Sequence, residues 1–243
     1  MENEIQTEEC CVPKPIPTSG VEVEHLERYK FSCNYVKSKR VLDIACGAGY
    51  GSHMIKLAGA SYVLGGDISA NNVQYCNAHF QMKDLEFKQL DICQPIVEKP
   101  FDVIISFETI EHISNYPAAL KNLHKILEKN GLLIVSSPNR TITEPYLKQD
   151  EKTSSGHERE FTASELRTAL KKAGFEEIGY YGQLMQICFN TPFTEKHFKR
   201  LFKPHKWANP RVRKVERLTP QYMIMVTRKN EFDEIKGIKS KLA

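Results

Sequence analysis

Val41-Leu42-Asp43-Ile44-Ala45-Cys46-Gly47-Ala48-Gly49-Tyr50-Gly51-Ser52 reads as a short buried strand running into a glycine-rich turn and then into a helix. Val41 to Ala45 is apolar except for Asp43, as expected of a strand covered on both faces. From Cys46 to Gly51 the small residues let backbone N–H groups face a ligand at the start of the next helix. The pattern suits a nucleoside, and its spacing separates candidate ligands. No lysine follows in a G-K-[ST] arrangement, which excludes a P-loop. A dinucleotide fingerprint reads G-x-G-x-x-G, whereas the glycines here fall at 47, 49 and 51, with Asp43 four residues before the first.

Two further acids repeat the arrangement. The next strand, Tyr62 to Gly66, ends at Asp67, which is placed to accept hydrogen bonds from two ribose hydroxyls. Leu85 to Gln89 ends near Asp91-Ile92, where an acid can meet an adenine amino group while the isoleucine covers the ring. Ligands of open α/β sheets sit beyond the carboxyl ends of the strands, and all three acids lie at such ends.

On these residues the chain resembles the class I S-adenosylmethionine-dependent methyltransferases, over roughly residues 24 to 229. The resemblance implies S-adenosylmethionine as cofactor, with Asp43, Ala45, Gly47 and Gly49 in the first motif. It also implies Asp67 and Ile68 at the ribose, Asp91 and Ile92 at the adenine, and Phe107 and Ile110 lining the cofactor after the fourth strand. Cys46 stands where a small residue is usual, which puts a thiol beside the cofactor without making it a nucleophile.

The expected architecture is a Rossmann-like, doubly wound, mostly parallel sheet of seven strands with helices on both faces. The strands are expected near 40–45, 61–66, 85–89, 101–106, 131–136, 176–181 and 222–227. A helix is expected over Val23 to Val36, and another over Glu165 to Ala173, capped at Thr162 or Ser164 and ended by Gly174. Residues 1–20, with Pro13, Pro15 and Pro17, read as a flexible arm, 21–230 as one catalytic domain and 231–243 as a tail. There is no run of 18 apolar residues and no basic-then-apolar leader. The seven cysteines are odd in number and lack C-x-x-C pairs, so neither a disulfide framework nor a zinc knot is indicated and a reducing cytoplasm is expected.

The chemistry is expected after the strand Phe101 to Phe107, where Glu108-Thr109-Ile110-Glu111-His112 follows. At the start of a helix, Glu108, Glu111 and His112 would stand at i, i+3 and i+4 on one face. Two carboxylates so placed repel each other unless a cation or proton lies between them. E-x-x-E-H followed by His157 before Glu160-Phe161-Thr162 resembles the small-RNA 3′-terminal 2′-O-methyltransferases, and E-x-x-E-H alone the ubiquinone-pathway O-methyltransferases. That resemblance implies Glu108, Glu111, His112 and His157 as ligands of one Mg²⁺ or Mn²⁺ ion that activates an acceptor hydroxyl. Without a metal, His112 or His157 is the candidate general base, with Glu111 beside it.

The acceptor side is expected in the loop 137–161, through Asn139, Arg140, Tyr146 and His157. Glu24-His25-Leu26-Glu27-Arg28-Tyr29-Lys30-Phe31, together with the glycine turn and F-E-T-I-E-H, resembles methyltransferases found with bacterial glycan-assembly genes. By that resemblance Arg28 meets the cofactor carboxylate and Tyr29 borders the substrate. The region 184–218 is a basic insertion. Its segment Lys196 to Arg217 carries nine Lys and Arg against one acid, Glu216, a net +8 in a chain of +4, so the remainder carries −4. Interleaved Phe198, Leu201, Phe202 and Trp207 make it suited to an anionic substrate, nucleic acid or a membrane surface, or to a helix packed on the fold. The expected activity is O-methylation of a sugar hydroxyl on a glycan or nucleotide-linked sugar. RNA 3′-terminal 2′-O-methylation, quinone-type O-methylation and a silent cofactor-binding partner subunit are the alternatives.

Overall fold

The computed structural model of the chain describes residues 20–143, 157–186, 210–216 and 218–230. The arm through residue 19, Tyr146, the tail and most of the basic insertion, including Phe198 to Trp207, lie outside the described residues.

Alternating elements build one eight-stranded sheet in the order β3-β2-β1-β4-β5-β8-β6-β7. Its strands are β1 (Arg40–Ile44), β2 (Tyr62–Asp67), β3 (Leu85–Gln89), β4 (Phe101–Ser106), β5 (Leu127–Pro138), β6 (Phe175–Gln186), β7 (Arg213–Lys214) and β8 (Thr219–Lys229). β1 to β5 run parallel, and β8 enters antiparallel between β5 and β6. The seven expected strands are all present, and the eighth is a two-residue edge strand where the basic insertion returns to β6. Helices α1 (Gly20–Ser32), α2 (Tyr50–Leu57), α3 (Ala70–His79), α4 (Tyr116–Ile126), α5 (Arg140–Thr143) and α6 (Ala163–Lys172) complete the order. No helix among the described residues is long and apolar enough to cross a membrane.

Two apolar layers sandwich the sheet, and strand periodicity sorts residues between them. Leu42, Leu64, Ile104, Leu133 and Met225 pack with Leu120 and Leu123 of α4 and Leu166 and Leu170 of α6. Their chain neighbours Val41, Val63, Val103, Ile134 and Ile224 face the other way, onto Tyr29 of α1, Ile55 of α2 and Cys76 of α3. α6 begins where expected: the Thr162 hydroxyl accepts from the Glu165 N–H, and the Glu165 carboxylate accepts from the Thr162 N–H.

Strand order reverses between β1 and β4, which lie side by side while their crossovers leave in opposite directions. This switch point opens a crevice at the carboxyl ends of the strands. The glycine turn fills its floor. Gly47 and Gly49 adopt φ of 54° and 80°, in the left-handed region that costs glycine least.

Gly51, inside α2, is needed for a different reason. A Cβ there would stand 2.0 to 2.4 Å from three ring carbons of Tyr29, itself buried. Gly to Ala inside a helix ordinarily stabilises by about 1 kcal/mol. Overpacking against a fixed ring costs about 1–3 kcal/mol and opposes that gain, so Gly51→Ala should lower the denaturation midpoint, with urea unfolding as the measurement.

Candidate active site

The crevice holds a cleft of about 1100 Å³, lined at each strand end in turn: Ile44 to Ala48 after β1, Asp67 to Ser69 after β2, Leu90 to Cys93 after β3 and Phe107 to Thr109 after β4. Arg28, Ala45, Gly47, Asp67, Ile68, Asp91, Ile92 and Phe107, all expected at the cofactor, line it. Asp67 organises the floor: its Oδ2 accepts from the Gly47 N–H at 2.8 Å and its Oδ1 from the Ser69 N–H at 2.9 Å. Ala45, which lines the cleft, holds φ of 61°, a left-handed conformation strained for a residue that carries a Cβ. Asp91 keeps one oxygen on the Cys93 N–H at 2.8 Å.

Asp43, Gly49 and Ile110, also expected at the cofactor, are not among the residues that line the cleft. Asp43 is 1% exposed behind the turn, where it accepts from the Ser52 hydroxyl at 2.6 Å and lies 3.2 and 3.3 Å from the Tyr29 hydroxyl. Its work is to hold α1, β1 and α2 together beneath the turn, and burial pushes its carboxyl up to about 7. Gly49 has no room for a side chain, since a Cβ would meet the Cys76 sulfur at 2.5 Å. Ile110 is 4% exposed and packs in the layer with Leu42 and Ile44. Cys46 does line the cleft, and contact with the Cys76 thiol, added to burial, pushes its own thiol well up, away from nucleophilic character.

The expected metal-binding face is also rearranged. Only Ile110–His112 form a helical turn, a 3-10 one, and Glu108 precedes it with φ of 46°. The i, i+3, i+4 geometry therefore does not include Glu108. Its N–H donates to the Ser136 hydroxyl at 3.0 Å, and that hydroxyl donates back to the Glu108 carboxylate at 2.6 Å. Glu111, His112 and His157 do come together, each offering a ligand atom within 4.8 Å of the others. The rings of His112 and His157 meet edge to face with centroids 4.7 Å apart. A backbone bond from the Arg159 N–H to the Glu111 carbonyl, 3.0 Å, docks the segment carrying His157 onto the 3-10 turn.

Glu111 is the least compensated group in the cleft. It is fully buried, and among the described residues neither carboxylate oxygen has a hydrogen-bond partner. Burial, reinforced by Glu108, pushes its pKa well above the carboxylate range; Ser137 and Arg28 pull the other way without satisfying either oxygen. A buried orphan carboxylate beside two imidazoles fits a divalent cation.

On the opposite wall the expected Arg28 is joined by Gln183 and Tyr222, for which the sequence raises no expectation. Arg28, 1% exposed, donates to the Gln183 side chain at 2.6 Å and lies over the Tyr222 ring at 5.0 Å, and its Nε has no partner among the described residues. Gln183 in turn donates to the carbonyls of Glu24 and Pro210. Burial and the nearby Glu24 and Glu108 push the Tyr222 hydroxyl up to about 12, and burial beside Arg28 pushes His25 down to about 3, so both are neutral at ordinary pH. Gln183 and Tyr222 carry no local signal, because a polar residue in a strand becomes meaningful only when a distant helix lies over it. Glu160, whose carboxylate holds His157, did carry one: it stands three residues after that histidine.

The chain belongs to the methyltransferase domain family, whose sequence profile matches residues 27–178. It is 30% identical over 146 residues to a probable S-adenosylmethionine-dependent methyltransferase of Mycobacterium tuberculosis, covering 60% of this chain and 52% of that one. It is 32% identical over 110 residues to a ubiquinone biosynthesis O-methyltransferase of Pelagibacter ubique, covering 44% and 45%. The chain thus spans about half the length of the curated relatives it matches. Its fold is that of the N-methyltransferase NodS of Bradyrhizobium japonicum, solved with S-adenosyl-L-homocysteine, at a TM-score of 0.60 and 16% identity over 90% of this chain and 92% of that one.

The buried Asp43 gives a pH signature. Its folded value, about 7, lies above the ordinary 3.8, so ionisation favours the unfolded chain. The stability associated with the protonated form is complete below 3.8 and is lost as pH rises through about 7. Asp43→Asn removes this dependence, so the stability of the variant relative to the parent should rise steadily between pH 4 and 7 in urea unfolding series.

Proposed function

We propose that this chain is an S-adenosylmethionine-dependent methyltransferase that methylates oxygen, with a sugar hydroxyl of a glycan or nucleotide-linked sugar as acceptor. The observation that carries the O-methyl reading is the convergence of Glu111, His112 and His157 on one cleft with the nucleoside-binding strand ends. Asp67 and Ile68 would hold the ribose, Asp91 with Ile92 the adenine, and Arg28, with a donor to spare among the described residues, the amino-acid carboxylate. The bound cofactor supplies a methyl group on a positively charged sulfur.

The protein's own part is to align an oxygen with that methyl group and remove its proton. Phe107 and Tyr29, in edge contact at 5.2 Å, line the cleft with apolar surface and exclude water beside the transferring group. His112 and His157 present imidazole nitrogens to an acceptor hydroxyl, and a base so placed contributes about 10²- to 10⁴-fold. Glu111, His112 and His157 would hold Mg²⁺ or Mn²⁺, which when bound lowers the pKa of a hydroxyl. The polar wall of Thr143, Tyr222 and His25 suits an acceptor rich in hydroxyls.

A quinol-type acceptor is the second reading, favoured by the likeness to ubiquinone biosynthesis O-methyltransferases. Both acceptors can present vicinal hydroxyls to the same cluster. Labelled S-adenosylmethionine incubated with nucleotide sugars, glycans, catechol-type quinol precursors and small RNAs, with and without Mn²⁺, tells them apart. Label on a nitrogen or carbon would refute oxygen methylation. Glu111→Ala should abolish transfer, as should excess EDTA; full activity in EDTA leaves His112 or His157 as base without a metal. Asp67→Ala should weaken cofactor binding about 10- to 100-fold in calorimetry through the lost charged hydrogen bonds.

A further inference from the structure

Glu160 is buried, its side chain 2% exposed, at the back of the same cleft. A carboxylate in that position requires donors around it. Among the described residues the His157 Nδ1 stands at 2.8 Å from one oxygen, and the Thr143 hydroxyl donates to the other. The Thr143 oxygen also lies 3.1 Å from the Asn139 carbonyl, but it has one proton, and a charged oxygen is the stronger acceptor.

We infer that Glu160 is a positioning residue for His157: it fixes the Nδ1–H tautomer and the ring plane, so that Nε2 is the nitrogen offered to Glu111, His112 and the acceptor. A carboxylate only accepts, so the proton of a neutral His157 sits on Nδ1 and the lone pair on Nε2. The backbone holds this geometry from both sides of the contact. Arg159, between the two residues, donates to the Glu111 carbonyl, and the Arg140 N–H donates to the Phe161 carbonyl at 3.0 Å. α5, which supplies Thr143, is therefore tied to the same segment. Glu160 stays outside the group formed by Glu111, His112 and His157, and acts on it through one ring. Such outer partners orient ligating or basic imidazoles and raise their basicity. The catalytic consequence rests on the function proposed above; the tautomer does not.

The test is ¹⁵N NMR of histidine-labelled protein without added metal at about pH 8, above the ordinary histidine value near 6.5, with the His157 signals assigned by their loss in His157→Gln. The parent should show the Nδ1–H form. Glu160→Ala should move His157 to the Nε2–H form and lower Mn²⁺ affinity in calorimetry about 10- to 100-fold. Glu160→Gln, whose amide oxygen still accepts from Nδ1–H, should restore the parent tautomer. An Nε2–H tautomer in the parent, or the same tautomer in parent and Glu160→Ala, overturns the inference. If Glu160→Ala fails to fold, the parent and Glu160→Gln spectra decide alone, and they do so whether or not Mn²⁺ binds. Absence of methyl transfer to any hydroxyl, with His157 in the stated tautomer, removes the proposed function and leaves the positioning role intact.

Discussion

Tyr29 and Ser52 both converge on the carboxyl of Asp43, and this one buried contact decides where the glycine turn can lie. Tyr29 belongs to α1, Ser52 to α2 and Asp43 to β1, so three elements meet at a group of atoms with no access to water. A polar group so buried is tolerated only while its partners stay in place. The turn from Ala45 to Gly49 rests on that arrangement from below, and Asp67 ties it down from the side through the Gly47 N–H. Gly51 completes the constraint, because the Tyr29 ring occupies the volume any larger residue would need.

The carboxyl-end crevice was legible in the sequence for a physical reason. Strands covered on both faces are continuous apolar runs, so Asp43 stands out within β1 and Asp67 at the end of β2, while Asp91 follows the alternating edge strand β3. Strand alternation shows that an acid breaks an apolar pattern, but not whether a distant tyrosine and serine will claim it. At E-x-x-E-H the helical spacing expected from Glu108 does not form: the Ser136 hydroxyl bonds to that residue, which holds a left-handed conformation, and the turn starts two residues later. His157 was found despite lying 45 residues from His112, because it precedes a recognisable helix start at Thr162. Gln183 and Tyr222 were not, since nothing near them in the chain marks them.

Around the cleft, electrostatic cost is concentrated rather than dispersed. Among the described residues Glu111 is buried without hydrogen-bond partners and Arg28 leaves a donor unpaired, and Glu108 and Ala45 hold backbone conformations that few side chains adopt. Each lowers stability, and together they sit at the end of the sheet where a charged ligand would compensate them. The surrounding layers are well packed and apolar. Sites that depart from locally preferred chemistry while the rest of the fold obeys it are where function is expected.

Gln183 joins Arg28 and the Glu24 carbonyl of the first helix to Pro210, near the return of the basic insertion, while Tyr222 of β8 closes over the arginine. Residues 20–143 supply the floor and three strand-end walls, but the wall around Arg28 is assembled from segments more than 150 residues away. During synthesis or refolding the nucleotide side of the cleft can therefore take shape well before the arginine side. Closing the long loops between them makes the completed site a late event in folding rather than an early nucleus.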